Sequence, residues 1–436
     1  MTSDPLKPHR RVEGNIVFDL SHLITQLTQR ATTGVDRVDL AYARHFLRLR
    51  QPPSLSTQYG LHGPHLLGVQ QSQELLDYFE KAQLEVDTAS SPDWEQLQSK
   101  LSGDDESAPV HFTNTMTSAW INWISRFAVQ SRFRVVHDLL ASIPEHAIYL
   151  SIAQHAFEHE RFFRWLDKRP DVRPVFFVHD LLPLDFPEYF PPGYHARFLR
   201  RVQTMQRAHA ILTSSSSVAD RIRERYCRQR LKNVPIHVAP LPSPLEATSG
   251  APVANELGRT PYFVMVATIE PRKNHLLLIN VWRTLVSRSN FEAKLVLVGK
   301  RGWENEQILR ELELTPELHD RIVRVPTLSS AHLKSLIKNA VALLMPSFSE
   351  GYGLPIVEAL SLGVPVICSD IPVFREVSQG KARFRSYLDG NGWLEDIAAI
   401  ASDSPLSAEY ASRATEFDAP TWKKYFQDVE NFLMTV

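Results

Sequence analysis

The sequence predicts an α/β protein built of two doubly wound domains, and three observations support this prediction. The chain has 436 residues, which is too many for one typical hydrophobic core. Short apolar runs alternate with helical stretches, as in sheets of mostly parallel strands. A segment rich in proline, glycine and small residues, 240–260, divides these runs into two series. We therefore predict an N-terminal domain at 1–245 and a C-terminal domain at 246–436.

The N-terminal series begins with an apolar strand at 15–20, which a polar loop joins to a helix at 35–49. The further predicted strands of this half are 134–137, 147–152, 174–179, 210–213 and 235–239. Residues 51–110 are rich in Gln, Ser and Pro and predict an irregular insertion with one helix at 73–84.

The C-terminal series is more regular. Its predicted strands are 262–267, 294–298, 321–325, 341–345 and 364–368, and its predicted helices include 275–287 and 331–339. The final segment, 421–436, has a helical pattern with Trp422, Tyr425, Phe426, Val429 and Phe432 on one face.

Composition excludes several classes of protein. A hydrophobic content of 43% and a charged content of 22% are typical of a globular protein in water. The net charge of −1 provides no overall field that would attract nucleic acid. Two cysteines form no disulfide framework, the first residues lack the apolar core of a signal peptide, and no apolar run approaches the ~18 residues of a membrane span. We therefore expect a cytoplasmic protein without a nucleic-acid partner.

The most informative segment is 347–370, SFSEGYGLPIVEALSLGVPVICSD. Apolar strands are predicted on both sides of it, Pro355 is suited to open a helix, and Gly363 is suited to end that helix. The loop before the helix offers backbone N–H groups and a positive helix dipole to an anion. Because Glu350 lies in this loop and Glu358 lies in the helix, the unit suits a sugar phosphate, with amides for phosphate oxygens and carboxylates for hydroxyls.

The run EGYGLPIVEAL closely resembles the Glu-x7-Glu motif of retaining glycosyltransferases of family 4, which have the GT-B fold of two Rossmann-like domains facing across a cleft. This resemblance implies that Glu350 contacts the donor sugar and that Glu358 holds the ribose of the nucleotide. It also assigns four loop residues to the donor site, namely Gly351, Tyr352, Gly353 and Leu354. The alternative is an ordinary βαβ unit with two solvated glutamates, which does not explain why glycines are needed there.

A second motif, EPRKNH, follows the strand predicted at 262–267. Arg272 and Lys273 stand just past the carboxyl end of that strand, where open α/β sheets bind ligands. Fixed cations at this place can stabilise the charge of a leaving nucleoside diphosphate without a metal ion. The motif resembles the diphosphate-binding signature of the same family, in which Thr268 also belongs to the donor site; Ala267 departs from the glycine common there. A solvated basic turn is the alternative.

In the N-terminal half, HDLLPLDFPEYF resembles a family segment whose histidine faces the donor sugar from the opposite domain. The resemblance makes His179 a catalytic candidate and Asp180 an acceptor-binding candidate, whereas the alternative is a buried structural histidine. The loop TTGVDR resembles glycine loops that border the diphosphate and the acceptor. It makes Gly34 a donor-binding candidate and Arg37 an acceptor-binding candidate, with an ordinary helix-capping turn as the alternative.

The resemblance implies transfer of a hexose, with retained anomeric configuration, from a nucleotide-diphosphate sugar to a saccharide or lipid-linked saccharide. It implies no cofactor and no essential metal. The sequence is most similar in style to bacterial mannosyltransferases of surface-polysaccharide assembly, which favours GDP-mannose over UDP-sugars or another GDP-hexose as donor. A nucleotide-sugar epimerase or a phosphorylase on a similar scaffold, and a catalytically inactive nucleotide-sugar-binding subunit, stay open as alternatives.

A locally basic segment lies between residues 197 and 232. It contains ten cationic residues: Arg197, Arg200, Arg201, Arg207, Arg221, Arg223, Arg225, Arg228, Arg230 and Lys232. Such a face suits an anionic lipid surface or a lipid-diphosphate acceptor and would place the protein peripherally at the inner face of the membrane. The alternative is a set of solvated helix faces.

Overall fold

Two largely parallel β-sheets, one in each half of the chain, confirm the predicted α/β fold with two doubly wound domains. The computed structural model describes residues 16–26, 33–60, 63–88, 92–102, 142–247, 257, 260–288, 291–402 and 404–436. The strand predicted at 134–137 lies outside these residues.

The first sheet has seven strands in the order β3-β2-β1-β4-β5-β6-β7. They are β1 Ile16–Asp19, β2 Leu55–Gly60, β3 Gly63–Leu67, β4 Ile148–Ser151, β5 Arg173–Val178, β6 Ala210–Thr213 and β7 Ile236–Val238. Neighbouring strands are parallel except β2 and β3, which form an antiparallel hairpin at one edge. The strand order reverses between β1 and β4, and such reversals are where open α/β sheets bind ligands.

Helices cover this sheet. They are α1 Ser21–Gln26, α2 Gly34–Arg44, α3 Val69–Thr88, α4 Pro92–Ser102, α5 Arg164–Lys168, α6 Leu182–Asp185, α7 Tyr194–Met205 and α8 Ser216–Arg228, with a π-helical turn at His45–Leu49 and 3₁₀ turns at Glu160–Phe162, Pro187–Tyr189 and Pro244–Ala247. The side chain of Thr33 caps α2 and that of Ser215 caps α8, so both helices begin at short polar residues that satisfy free N–H groups.

The prediction of an irregular insertion at 51–110 is wrong for its described part, which contains β2, β3, α3 and α4, whereas the helix predicted at 73–84 is confirmed and lies within α3. The polar composition of this segment was misleading because two of its serines are buried and hydrogen-bonded to each other. Ser56 on β2 is fully buried, and its hydroxyl lies 2.7 Å from that of Ser72 on α3. A buried polar group with a partner is tolerated inside a fold, although its residue type predicts a loop.

The second sheet has six strands, all parallel, in the order β10-β9-β8-β11-β12-β13. They are β8 Tyr262–Val266, β9 Lys294–Val298, β10 Ile322–Val325, β11 Ala342–Met345, β12 Val366–Ser369 and β13 Arg383–Arg385. Its helices are α9 His275–Arg288, α10 Glu306–Glu313, α11 Ser330–Lys338, α12 Leu354–Ser361, α13 Pro372–Val377, α14 Gly390–Ala401, α15 Pro405–Thr415 and α16 Trp422–Thr435, with 3₁₀ turns at Pro271–Lys273 and Pro316–Leu318. This strand order is that of dinucleotide-binding sheets.

The last helix, α16, packs against the N-terminal domain. The hydroxyl groups of Tyr42 and Tyr425 lie 2.7 Å apart, and the rings of His45 and Phe426 stack with centroids 3.9 Å apart. A second contact joins the domains, because Trp94 of α4 in the N-terminal domain stacks on His332 of α11 in the C-terminal domain, with ring centroids 4.4 Å apart. One continuous hydrophobic core therefore contains residues of both domains.

Candidate active site

The loops that follow β8 and β11 lie side by side and face the N-terminal domain. These two strands are parallel neighbours, with Phe263 opposite Ala342. Because the carboxyl ends of parallel neighbours meet at one edge of a sheet, the loop that carries Arg272 comes next to the loop that carries Glu350. The strand order of the second sheet reverses at this same pair, which makes it the expected ligand site of the domain.

Glu350 accepts contacts from both predicted cations. Its Oε2 lies 2.8 Å from Arg272 Nη1, and its Oε1 lies 2.5 Å from Lys273 Nζ. Burial raises the pKa of the Glu350 carboxyl, but the two cations outweigh burial and bring that pKa down to about 2. The cluster therefore holds a charged carboxylate and two cations in a nearly dry place, where electrostatic interactions are strong.

Glu270 belongs to this cluster and was missed in the sequence. Its Oε1 accepts a hydrogen bond from Arg272 Nη2 at 2.7 Å, and the carboxylate is buried. Burial raises the pKa of Glu270, and Lys273 and Arg272 oppose part of that increase. Its position directly before Pro271, inside the EPRKNH motif, was a signal that could have identified it. Glu270 and Glu350 together fix the guanidinium of Arg272 in one orientation.

The end of β5 brings the N-terminal domain to the Glu350 loop. A Cβ atom added at Gly351 would lie 2.4 Å from the backbone oxygen of His179 and 2.8 Å from Cβ of Asp180. Glycine at this position is therefore required by the close approach of the two domains. Burial raises the pKa of the Asp180 carboxyl, and Arg272 and Lys273 lower it, so Asp180 shares the electrostatic environment of the Glu350 cluster.

His179 is neutral at pH 7. Burial lowers the pKa of its imidazole to about 4. Its Nε2 lies 2.9 Å from the carbonyl oxygen of Ile152, so Nε2 carries the proton and donates it to that oxygen. In this tautomer Nδ1 is a hydrogen-bond acceptor, which is suited to the hydroxyl of a sugar.

Glu358 lies on α12 and is fully buried, with Arg37 of the N-terminal domain as its ionic partner. Arg37 Nη1 and Glu358 Oε1 are 2.8 Å apart, although the N–H direction is not that of a hydrogen bond. Burial raises the pKa of the Glu358 carboxyl above its ordinary value, and Arg37 offsets only part of this increase. The structure thus places Arg37, an acceptor-binding candidate in the sequence, beside the residue predicted to bind the nucleotide.

Among the remaining donor-site candidates, Gly34, Gly353 and Tyr352 have structural roles near the domain contact, and Thr268 is exposed. Gly34 packs so closely on Leu354 that an added Cβ would lie 2.9 Å from the Leu354 side chain. Gly353 begins α12 with φ of 117°, a conformation that requires glycine. The buried hydroxyl of Tyr352 donates to the carbonyl oxygen of Leu241 at 2.8 Å, so it holds the interdomain segment. Thr268, in contrast, lies exposed beyond the end of β8.

Two further contacts across the domains had no signal in the sequence. The Ser215 hydroxyl, which caps α8, also donates to the backbone oxygen of Gly351 at 3.0 Å. Glu376 of the C-terminal domain accepts backbone N–H groups of Ser216 and Ser217 at the start of α8, at 2.7 and 3.3 Å. A carboxylate at a helix N-terminus is favourable. These contacts join the two domains beside the Glu350 loop.

The basic segment 197–232 is less cationic in the fold than in the sequence, because most of its arginines pair with acidic side chains. These pairs are Arg197 and Arg201 with Glu158, Arg207 with Glu160 and Asp167, Arg221 and Arg225 with Asp185, Arg223 with Asp220, and Arg228 with Glu224. Three exposed cations of the segment form no ion pair with any residue that the structure describes, namely Arg200, Arg230 and Lys232. Over the same described ranges, no helix is long and apolar enough to cross a bilayer.

Comparison with known proteins finds a match in the C-terminal half, where residues 252–416 match the family described as Glycosyl transferases group 1. We refer to this matched span as the group 1 domain. It contains the whole Glu350 cluster and Glu358, whereas His179 and Arg37 lie outside it.

Curated relatives extend over part of both halves. The chain is 30% identical over 264 residues to the serotype-specific mannosyltransferase WbdA of Escherichia coli, which covers 57% of this chain and 32% of that protein. It is 27% identical to the O-antigen chain mannosyltransferase RfbU of Salmonella typhimurium, over 57% of this chain and 66% of the relative. The match to O-antigen chain mannosyltransferase B of Escherichia coli, at 31% identity, covers 55% of the relative. The chain therefore spans between about a third and two thirds of these relatives.

Solved structures show the same GT-B fold at low sequence identity. The N-terminal domain of trehalose-6-phosphate phosphatase from Candida albicans superposes with a TM-score of 0.58 at 12% identity, over 99% of each chain. The glycosyltransferase WaaG, involved in lipopolysaccharide biosynthesis, gives a TM-score of 0.50 at 13% identity, over 67% of this chain and 92% of its own. These likenesses support the fold of two α/β domains, the second of which contains the group 1 match.

Proposed function

We propose that this chain is a retaining glycosyltransferase that moves a hexose from a nucleotide-diphosphate sugar to a saccharide or lipid-linked saccharide in polysaccharide biosynthesis. One observation carries the proposal: Arg272, Lys273 and Glu350 of the group 1 domain converge at the sheet reversal, with His179 of the other domain beside them. Mannose from GDP-mannose is the favoured donor, because three relatives are named mannosyltransferases.

In this proposal the two cations balance the charge of the leaving diphosphate. When the bond between the anomeric carbon and the diphosphate breaks, its electron pair leaves with the diphosphate. Arg272 and Lys273 are held in place by Glu350 and Glu270 before the donor arrives, so they stabilise this charge with little reorganisation. Such fixed cations make a metal ion unnecessary, which is why we propose activity without an essential metal.

Glu350 and His179 would orient the transferred sugar. Both are acceptors of hydrogen bonds, because Glu350 is a carboxylate and His179 is neutral with Nδ1 as an acceptor. Sugar hydroxyls are donors, so the two residues suit opposite sides of one sugar. Since His179 and Glu350 belong to different domains, the site is complete only when the domains are in contact, which also limits access of water.

Peripheral membrane contact is proposed through the three exposed cations that form no ion pair with a described residue. Arg200, Arg230 and Lys232 would contribute roughly 1 kcal/mol each near an anionic surface. Binding to vesicles with anionic phospholipid should therefore fall when these three are changed together to Gln. Changing the paired Arg221, Arg225 and Arg228 instead is the matched control, with a smaller expected effect.

The test of the function uses the full chain with GDP-mannose, UDP-sugars and other GDP-hexoses. A thermal-shift screen identifies the donor, since a ligand that binds only the native state raises the unfolding temperature. Turnover of that donor is then measured with and without candidate saccharide acceptors, and with a chelator. Transfer that needs an acceptor and survives the chelator is expected.

The other outcomes distinguish the alternatives. Conversion of the sugar without an acceptor would indicate an epimerase, and binding without turnover would indicate an inactive subunit. Loss of turnover on chelation, restored by magnesium or manganese, would contradict the role given to Arg272 and Lys273. Absence of any nucleotide-sugar effect would overturn the proposed function.

A further inference from the structure

The second glutamate of the motif, Glu358, has a buried carboxylate without hydrogen bonds from the described residues. The side chain of Glu358 is 0% exposed, and neither of its oxygens receives a hydrogen bond from any residue in the described part of the chain. Its ionic partner, Arg37, likewise has two buried nitrogens, Nε and Nη1, without a hydrogen-bond acceptor among the described residues. Buried polar atoms normally have partners. The pair is therefore set up for hydrogen bonds that something else must supply.

Arg37 is held in this position by the structure around it. It lies in the first turn of α2, which a capping box fixes: the Asp36 N–H donates to Thr33 Oγ1 at 3.3 Å, and the Thr33 N–H donates to the Asp36 carboxylate at 2.6 Å. The same carboxylate lies 2.7 Å from His22 Nε2. Close packing of Gly34 on the C-terminal domain keeps this helix start against α12.

The charges of the pair restrict what can enter between its members. Separating them would leave a buried carboxylate and a largely buried guanidinium, each without compensation, which is strongly unfavourable. An entering ligand must therefore bring hydrogen-bond donors for Glu358 and a negative charge for Arg37. A free sugar brings only hydroxyls and inorganic pyrophosphate brings only negative charge. A nucleoside diphosphate brings both, through its ribose and its phosphates.

We propose that Arg37, contributed by the N-terminal domain, is a phosphate-binding residue of the nucleotide site, and that the Arg37–Glu358 ion pair is the ligand-free form of a ribose–phosphate subsite. This inference rests on the proposed function and adds a residue of the opposite domain to it. Ribose hydroxyls replace the guanidinium at Glu358, and a phosphate oxygen replaces the carboxylate at Arg37. Since the two residues lie on different domains, nucleotide binding itself holds the domains together.

The test compares a nucleoside diphosphate with its nucleoside in the variant Arg37→Met. The full chain is titrated by calorimetry with GDP or UDP, whichever the parent binds more tightly, and with the corresponding nucleoside. We expect the diphosphate to bind ~10- to 100-fold more weakly, the scale of one hydrogen bond to a charged group. Affinity for the nucleoside should stay equal to that of the parent or increase, because the Arg37 guanidinium no longer competes with the ribose for Glu358.

Controls separate this role from support of the fold. Arg44 lies on the same helix and pairs with Glu80, so Arg44→Met removes an arginine from α2 away from the subsite and should leave both affinities unchanged. Arg37→Lys keeps the charge without the planar guanidinium and should give a smaller loss for the diphosphate. If Arg37→Met does not fold, the comparison is made with Arg37→Lys.

Three results would overturn the inference. Unchanged affinity for the diphosphate means that Arg37 does not bind phosphate. An equal loss for nucleoside and diphosphate means that Arg37 only supports the fold around Glu358. Tighter binding of the diphosphate means that the ion pair merely competes with it. A parent protein that binds no nucleoside diphosphate would instead overturn the proposed function, and this inference with it.

Discussion

Glu350 and Glu358 belong to one motif, yet they are buried in opposite electrostatic environments. Glu350 has two cations within 2.8 Å, and they lower the pKa of its carboxyl to about 2 despite burial. Glu358 has one arginine, and the pKa of its carboxyl stays above the ordinary value. Two similarly buried glutamates therefore differ in pKa: the charge of Glu350 is stabilised by two cations, whereas the charge of Glu358 is only partly offset by Arg37.

The difference follows from where the partners come from. Arg272 and Lys273 lie in the same domain as Glu350, on the adjacent strand's loop, so that cluster does not depend on the contact between domains. Arg37 comes from the other domain, so the environment of Glu358 changes whenever the domains separate. One motif therefore contains a preformed site and a site that is completed only by contact between the domains.

The largest effect on turnover is expected when each of the two glutamates is changed to glutamine in turn. Glu350→Gln keeps the shape and removes the charge, so turnover should fall ~10²-fold or more, the scale of losing one positioned electrostatic group. Affinity for the nucleoside diphosphate should stay near that of the parent. Glu358→Gln should instead weaken the binding of the nucleoside diphosphate itself.

Steady-state kinetics and calorimetry on both variants check this division of roles. His179→Ala should resemble Glu350→Gln, because both residues are assigned to the sugar. Full turnover in Glu350→Gln, or a loss confined to nucleotide affinity, would contradict the division.

A second test acts on the domain contact. An added Cβ at Gly351 would lie 2.4 Å from the His179 backbone oxygen, so Gly351→Ala must push the domains apart. We expect turnover to fall ~10- to 100-fold, since misplacement by about 1 Å can cost 10²-fold. Gly390→Ala is the matched control, because no described residue outside its own stretch of α14 lies within 4 Å of the Cβ that it would add. Equal activity of the two variants would show that this contact is dispensable for turnover.

A third test concerns stability and its dependence on pH. The folded-state pKa of Glu350 is lowered from 4.5 to about 2, so its stabilisation is present above pH 4.5 and is lost as pH falls towards 2. It is worth on the order of 3 kcal/mol. The pKa of Glu358 is raised from 4.5, so its contribution is present below pH 4.5 and is lost as pH rises through the folded-state value.

Chemical denaturation of the parent and both glutamine variants over a pH series measures these contributions. Destabilisation by Glu350→Gln should grow as pH rises from about 2 to 4.5 and stay level above that pH. Glu358→Gln should become more stable relative to the parent above pH 4.5, as pH rises through the folded-state pKa of Glu358. Slopes of the same sign would show that the two environments do not differ as described.

Local patterns were sufficient for much of the second domain. The apolar run before Pro346, the glycines of the loop and Pro355 predicted a strand, a loop and a helix, and the structure has β11, the loop and α12 in that order. These features depend on neighbours in sequence, so one window of the chain contains their cause. The same patterns failed at 51–110, because burial of Ser56 and Ser72 against each other depends on a partner sixteen residues away.

The two-domain α/β fold and the polar residues just past strand ends could be predicted from the sequence, because strand and helix preferences act over a few residues. Which of those residues meet depends on the tertiary fold. Lys273 reaches Glu350 across 77 residues of chain because β8 and β11 are parallel neighbours. Arg37 meets Glu358, and Gly351 meets His179, because two domains come into contact. Strand order and domain packing are set by the burial of whole apolar faces, which no single motif encodes.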